Sequence, residues 1–149
     1  MGRRRQAREL ALQFLYGFDV NRRELAEALN DFWAGQRVPE ETKAFARRLI
    51  IGTIENADYL DGVIRGHARN WRLGRIALVD KNILRLALYE IYFCDDIPSL
   101  VSINEAVDIA KKFSTSKSGS FVNGILDKVR EEIEVKGTLK DKDVEAKGR

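Results

Sequence analysis

The chain holds one cysteine, Cys94, and one histidine, His67, among its 149 residues. A lone thiol excludes an internal disulfide, and with a single imidazole it cannot assemble a zinc site of the usual kind. No metal site is expected, and a reduced, cytoplasmic setting fits. No apolar run approaches the roughly 20 residues of a membrane span. The basic start followed by "LALQFLYGF" imitates a signal peptide, but Gln13 interrupts the run and no small-residue cleavage site follows. Gly-rich phosphate loops and the dinucleotide-binding fingerprint are also missing. His67 lies in a polar, arginine-rich segment and is expected at the surface, while Asp95 and Asp96 precede Pro98 in what reads as a solvated turn. Without a metal set, or a nucleophile with an evident base, neither an enzyme nor a cofactor is expected. There is no internal repeat and no alternation of strand type.

What is present is helical periodicity. Ala7, Leu10, Ala11, Phe14, Leu15 and Phe18 recur at the spacing of one buried stripe. Leu25, Ala28, Leu29, Phe32 and Trp33 form a second, closed by Gly35 and Pro39. From Glu40 to near Gly66 the spacing predicts one long helix. The connector from Gly66 to Val79 holds glycines and reads as a seam between two lobes. "ILRLALYEIYF", residues 83 to 93, is apolar or aromatic except at Arg85 and Glu90, which predicts a buried helix. Asp80 can cap it. "SINE", residues 102 to 105, reads as a capping box opening the helix of Ile103, Ala106, Val107, Ala110 and Phe113. Beyond "STSKSGS", a last helix carries Val122, Ile125, Leu126, Val129 and Ile133. The expected organisation is an all-α domain over residues 1–135, with lobes of about 1–66 and 67–135, followed by a charged, mobile tail at 136–149.

Charge raises a question that folding alone does not answer. The net charge is only +3, yet Arg3, Arg4, Arg5 and Arg8 crowd the start of the first helix. Cations at a helix N-terminus are unfavourable by roughly 0.3–1 kcal/mol each when exposed. Arg8 also repels Arg4 and Arg5 across one turn. A second concentration, "RGHARNWRLGR", contributes Arg65, Arg69, Arg72 and Arg75 without an acid. Local patches of this kind point to a polyanionic partner. Arg5, Arg8 and Tyr16 fall on one flank of the first helix, the combination single-stranded RNA requires: guanidinium groups for phosphate and rings for unstacked bases. Phe121 lies at the edge of its own stripe, where half exposure is expected.

"RRRQARELALQFLY", "NWRLGRIALVDKNILRLALYEI", "IPSLVSINEAVDIAKKF" and "FVNGILDKV" occur in that order. Together they resemble the NusB family of transcription antitermination factors. The resemblance implies an all-helical protein of two small bundles, about seven helices in one compact domain. It further implies binding of the boxA element of ribosomal RNA leader transcripts together with NusE, a small-subunit ribosomal protein, in a complex with NusA, NusG and RNA polymerase. By position it assigns RNA contact to Arg3, Arg4, Arg5, Arg8, Tyr16 and Phe121, and to Lys117 in the serine-rich loop near RNA; Asp80 is assigned to the NusE face. Gly74 departs from the polar or acidic residue common among relatives. The alternative is a helical adaptor or homodimer without direct RNA binding, which leaves the arginines unexplained. An RNA methyltransferase carrying such a domain would need an additional α/β domain with a cofactor loop.

Overall fold

The computed structural model of the chain describes residues 2–68 and 76–135. The expectations for Arg69, Arg72, Gly74 and Arg75, and for the segment 136–149, lie outside the described residues. Within them the secondary structure is seven α-helices and no strand. These are α1 Arg3–Val20, α2 Leu25–Ala34, α3 Glu40–Glu55, α4 Ala57–His67, α5 Leu78–Phe93, α6 Ser99–Phe113 and α7 Ser116–Val135. In the first half, α1 packs chiefly on α3; in the second, α6 packs chiefly on α7. The α5 helix touches α1, α3, α4, α6 and α7 and so joins the two halves.

That central position follows from its sequence. Ile83, Leu84, Leu86, Ala87, Leu88 and Ile91 are all buried and cover most of the circumference of α5, leaving Lys81, Arg85, Tyr89 and Tyr92 half-buried and Phe93 exposed. Each large apolar side chain so buried stabilises the fold by roughly 1.5–3 kcal/mol. The buried apolar residues of both halves form one continuous cluster. At the α3–α5 contact the Tyr89 ring lies so close over Gly52 that any Cβ there would stand 2.0 Å from its Cζ, so only glycine fits.

The expected long helix from Glu40 is two helices. Asn56 leaves helical geometry at φ −111°, ψ 16°, and its side-chain amide donates to the Gly52 carbonyl at 2.8 Å, competing with continuation of the helix. The break turns α4 onto α5 and α7. There Arg85 donates to both oxygens of Asp61 at 2.6 and 2.8 Å and to one of Asp19 from α1 at 2.8 Å. His67 is half-buried, not at the surface as its polar neighbours suggest. Its ring nitrogens meet the Val63 carbonyl and a Glu132 carboxylate oxygen of α7, both at 2.8 Å.

The capping box also resolves differently. The α6 helix starts after Pro98, one turn before Ser102, so Ser102 and Glu105 are interior positions whose side chains turn toward α5 and α1. Asp80 does not cap α5 either. The helix opens at Leu78 with Ala77 before it, and Asp80 lies in the first turn. Pro98 supplies the preset φ that starts α6, and the side chain of Glu24 caps α2 by accepting from Ala26 N and Glu27 N at 2.8 and 3.3 Å.

Candidate nucleic-acid interface

The α1 helix has no acid in its first turn and no side-chain cap, so its positive end must be compensated from elsewhere. Acids on other elements do this. Arg8 is 4% exposed and pairs fork to fork with Glu90 of α5, Nε to Oε2 at 2.9 Å and Nη2 to Oε1 at 2.8 Å. Its Nη1 reaches Glu105 of α6 at 3.2 Å, and Ser102 Oγ donates to Glu90 Oε1 at 2.8 Å. Arg5 donates through Nε to Glu105 Oε1 at 3.0 Å and through Nη2 to Asp108 at 2.9 Å, with a further contact from Nη2 to Glu105 Oε2. Burial works against the charged form of Arg8, but the bonds to Glu90 and the fields of Glu90 and Glu105 outweigh it, so its pKa is raised. The Arg5 guanidinium holds the Glu105 carboxyl below its ordinary value.

The unfavourable charge at the start of α1 is thereby accounted for. Arg8 has its donors engaged inside the protein, and Arg5 and Arg8 tie α1 to α5 and α6. Arg3 and Arg4 face outward. Arg3 meets Glu41 of α3 at 2.6 Å with both side chains largely in water, and Arg4 lies 4.4 Å above the Phe45 ring and 3.7 Å from Asp96. Arg4, Arg5, Ile97, Pro98, Val101 and Glu105 line an open cleft of about 490 Å³ beside this helix end. Asp96 accepts from both terminal nitrogens of Arg48, at 2.6 and 3.1 Å, which lowers its pKa to about 2.

Further along α1 the surface changes character. Glu9 pairs with Lys112 near the end of α6 at 3.0 Å, and Tyr16 is 42% exposed. Phe113 belongs to the α6 stripe by spacing and is expected in the core, but it ends 38% exposed with the Lys112 ammonium 5.2 Å from its ring centre. Spacing cannot reveal this, because a stripe residue in the last turn has no neighbour beyond the helix end to cover it. The run "KKF" at a helix end is the only sequence signal. Lys117 is exposed in the first turn of α7, and Phe121 is half-buried against the core. Lys111, Lys112, Phe113 and Lys117 thus lie at the α6–α7 turn, Phe121 follows one turn into α7, and Tyr16 lies on α1. The structure does not group them with Arg8.

Asp80 lies beneath the second set, joined to it through Ser118 of α7. It is 7% exposed, and its Oδ2 accepts from Ser118 Oγ of α7 at 3.0 Å, so it is not an acid displayed on an open face. Among the described residues no group of three or more His, Cys, Asp or Glu is placed to hold a metal ion, and no helix is long and apolar enough to cross a membrane.

A basic and aromatic surface on two linked helical bundles is the kind of interface nucleic-acid-binding helical domains present, and comparison with known proteins agrees. The model of the NusB family matches residues 5–131. The chain is 47% identical over 129 residues to the transcription antitermination protein NusB of Desulfatibacillum aliphaticivorans, covering 87% of this chain and 90% of that protein. Its fold superposes on T. maritima NusB with a TM-score of 0.78 at 39% identity, covering 87% of this chain and 91% of the other. A crystal structure of the antitermination factors NusB and NusE in complex with dsRNA has the same fold, with a TM-score of 0.76 at 24% identity over 87% of this chain and 97% of the other. The chain belongs to the NusB family.

Proposed function

We propose that this chain is a non-enzymatic RNA-binding factor of transcription antitermination that engages boxA-type RNA together with NusE. The observation that carries the reading is the family match over residues 5–131. Relatives at 43–47% identity are transcription antitermination proteins, and a solved NusB is assembled with NusE and RNA. The chain's own surface supports it. Tyr16, Phe113 and Phe121 offer rings for unstacked bases, while Lys111, Lys112 and Lys117 offer ammonium groups for phosphate beside them. Arg3 and Arg4 are the cations of α1 that remain accessible to the backbone of a longer RNA. NusA, NusG and RNA polymerase complete the complex in this reading.

The test is a gel shift of boxA RNA, single-stranded and as a duplex, against a scrambled sequence, with and without NusE. Preferential retardation of boxA RNA, strengthened by NusE, is expected; equal binding of boxA and scrambled RNA would refute it. The rival reading, a helical adaptor or homodimer that does not bind RNA, draws on the exposed rings of Tyr59 and Phe93, which pack edge to face at 6.0 Å on the α4–α5 surface. It predicts no shift with any RNA and a dimer by sedimentation.

A further inference from the structure

Asp80 is buried in the first turn of α5, and among the described residues a single hydrogen bond ties its side chain to another helix. Ser118 Oγ donates to its Oδ2 at 3.0 Å, while Oδ1 is enclosed with no hydrogen-bond partner among the described residues. Ser118 is the hub of the α7 start. Its backbone N–H donates to Thr115 Oγ1 at 3.1 Å, which caps the helix, and its Oγ lies 2.8 Å from Ser114 Oγ and 3.2 Å from Thr115 Oγ1. Since Ser118 gives its only hydroxyl proton to Asp80, both neighbouring hydroxyls donate toward it. The hydroxyls of residues 114, 115 and 118 therefore form one chain that ends on a carboxylate of another helix. Lys117 precedes Ser118, and Phe121 follows it by one turn. Gly119, beside it, has no side chain, and a Cβ there would stand 2.8 Å from Lys111 Cγ, so the α7 start sits directly on α6 with the hydroxyl chain fixing its setting.

We propose that Asp80 is a positioning residue for the RNA surface. Through Ser118 it holds the first turn of α7 so that Lys117 and Phe121 face the ligand, and it touches no RNA itself. This rests on the RNA-binding reading above. Asp80 has no open face on which to display a charge, and its side chain instead accepts the Ser118 hydroxyl proton.

The experiment measures boxA RNA affinity by fluorescence anisotropy, across a range of salt, at a temperature where circular dichroism shows each protein folded. Asp80→Ala and Ser118→Ala should each weaken binding about fivefold, the equivalent of one hydrogen bond, with the salt slope of the parent because no phosphate-binding group is removed. The double variant, which leaves no buried carboxylate unpaired, should bind no more weakly than either single variant. Asp80→Asn keeps an acceptor oxygen and should restore most of the affinity. Hydrogen exchange without RNA should quicken at residues 118–121 in Asp80→Ala and not in α2. Parent affinity in both single variants, multiplicative losses in the double variant, or unchanged exchange at 118–121 would each overturn the proposal. A parent protein that binds no RNA while its exchange responds as described would overturn the RNA reading and leave the linkage between the helices standing.

Discussion

The start of α1 and the turn between α6 and α7 are both dense in cations, yet they hold that charge in opposite ways. At the start of α1 every arginine has an acid within ion-pair distance, drawn from α3, α5, α6 or the loop between the last two. The pairing deepens along the helix, from Arg3 in water to Arg8 sealed inside. At the α6–α7 turn only Lys112 has an acidic partner, Glu9, and among the described residues Lys111 and Lys117 form no ion pair. Charge density along a sequence therefore does not measure the charge available to a ligand. The inner members of the larger run, Arg5 and Arg8, tie the protein to itself, while in the sparser run Lys111 and Lys117 have no acid in ion-pair distance among the described residues.

The largest effect that would break this comparison lies in the buried pair. Arg8→Gln removes both guanidinium bonds to the buried Glu90 carboxylate, which Ser102 alone does not neutralise, and should cost about 3–5 kcal/mol of stability, measured by urea denaturation. The sequence alone suggests the reverse, that neutral replacements relieve repulsion and leave stability level or higher. A variant as stable as the parent would mean that Glu90 finds other partners and that the arginines of α1 are not structural.

Next in size is a ring at the open site. Phe121→Ala should lower RNA affinity by about 1–3 kcal/mol if a base stacks there, with little change in salt dependence. Equal affinity, measured by anisotropy, would confine Phe121 to core packing.

Acid should reach the two regions unequally. Glu105 has a folded pKa below its ordinary value, held there first by its bond to Arg5. Its contribution is therefore present above the ordinary carboxylate range and is lost as pH falls through the depressed folded value, because the unfolded chain then binds the proton more readily. The urea midpoint should drop as the pH falls from the ordinary carboxylate range into more acidic solution, and the drop should be smaller in Glu105→Gln. An unaltered drop would place the acid sensitivity in other carboxylates, Asp96 first among them.

The smallest effect is expected at the rim. Arg3→Gln should change stability by less than about 0.5 kcal/mol, since its pair with Glu41 is exposed on both sides. A larger loss by the same urea titration would extend the structural role to the whole cluster.

The helices were legible in the sequence because their stripes record which face is buried, and the near-continuous apolar run of α5 marked it as central. The stripe does not record what lies against that face. Arg8 and Glu90 are 82 residues apart, so no local pattern links them. Ser102 and Glu105 do match a capping box, and the match misled: once Pro98 starts the helix a turn earlier, Ser102 turns to Glu90 and Glu105 to the arginines of α1. The break at Asn56 was hidden because the apolar spacing continues across it. Tyr16 was readable as a flank residue and is exposed, and Phe121 at its stripe edge is half-buried as that edge implies. Phe113 was not readable, because helix ends uncover residues that periodicity assigns to the core.

If phosphate is met at the α6–α7 turn and not by the buried arginines, the salt dependence of RNA binding will separate the two regions. In Lys111→Gln/Lys117→Gln the log–log slope for single-stranded RNA should become shallower by about 1.4, or about 0.7 for each phosphate no longer neutralised. In Arg8→Gln, measured where the protein remains folded, the slope should equal that of the parent. A parental slope in the lysine variant together with a shallower one in Arg8→Gln would contradict the account and return the RNA-binding charge to the start of α1.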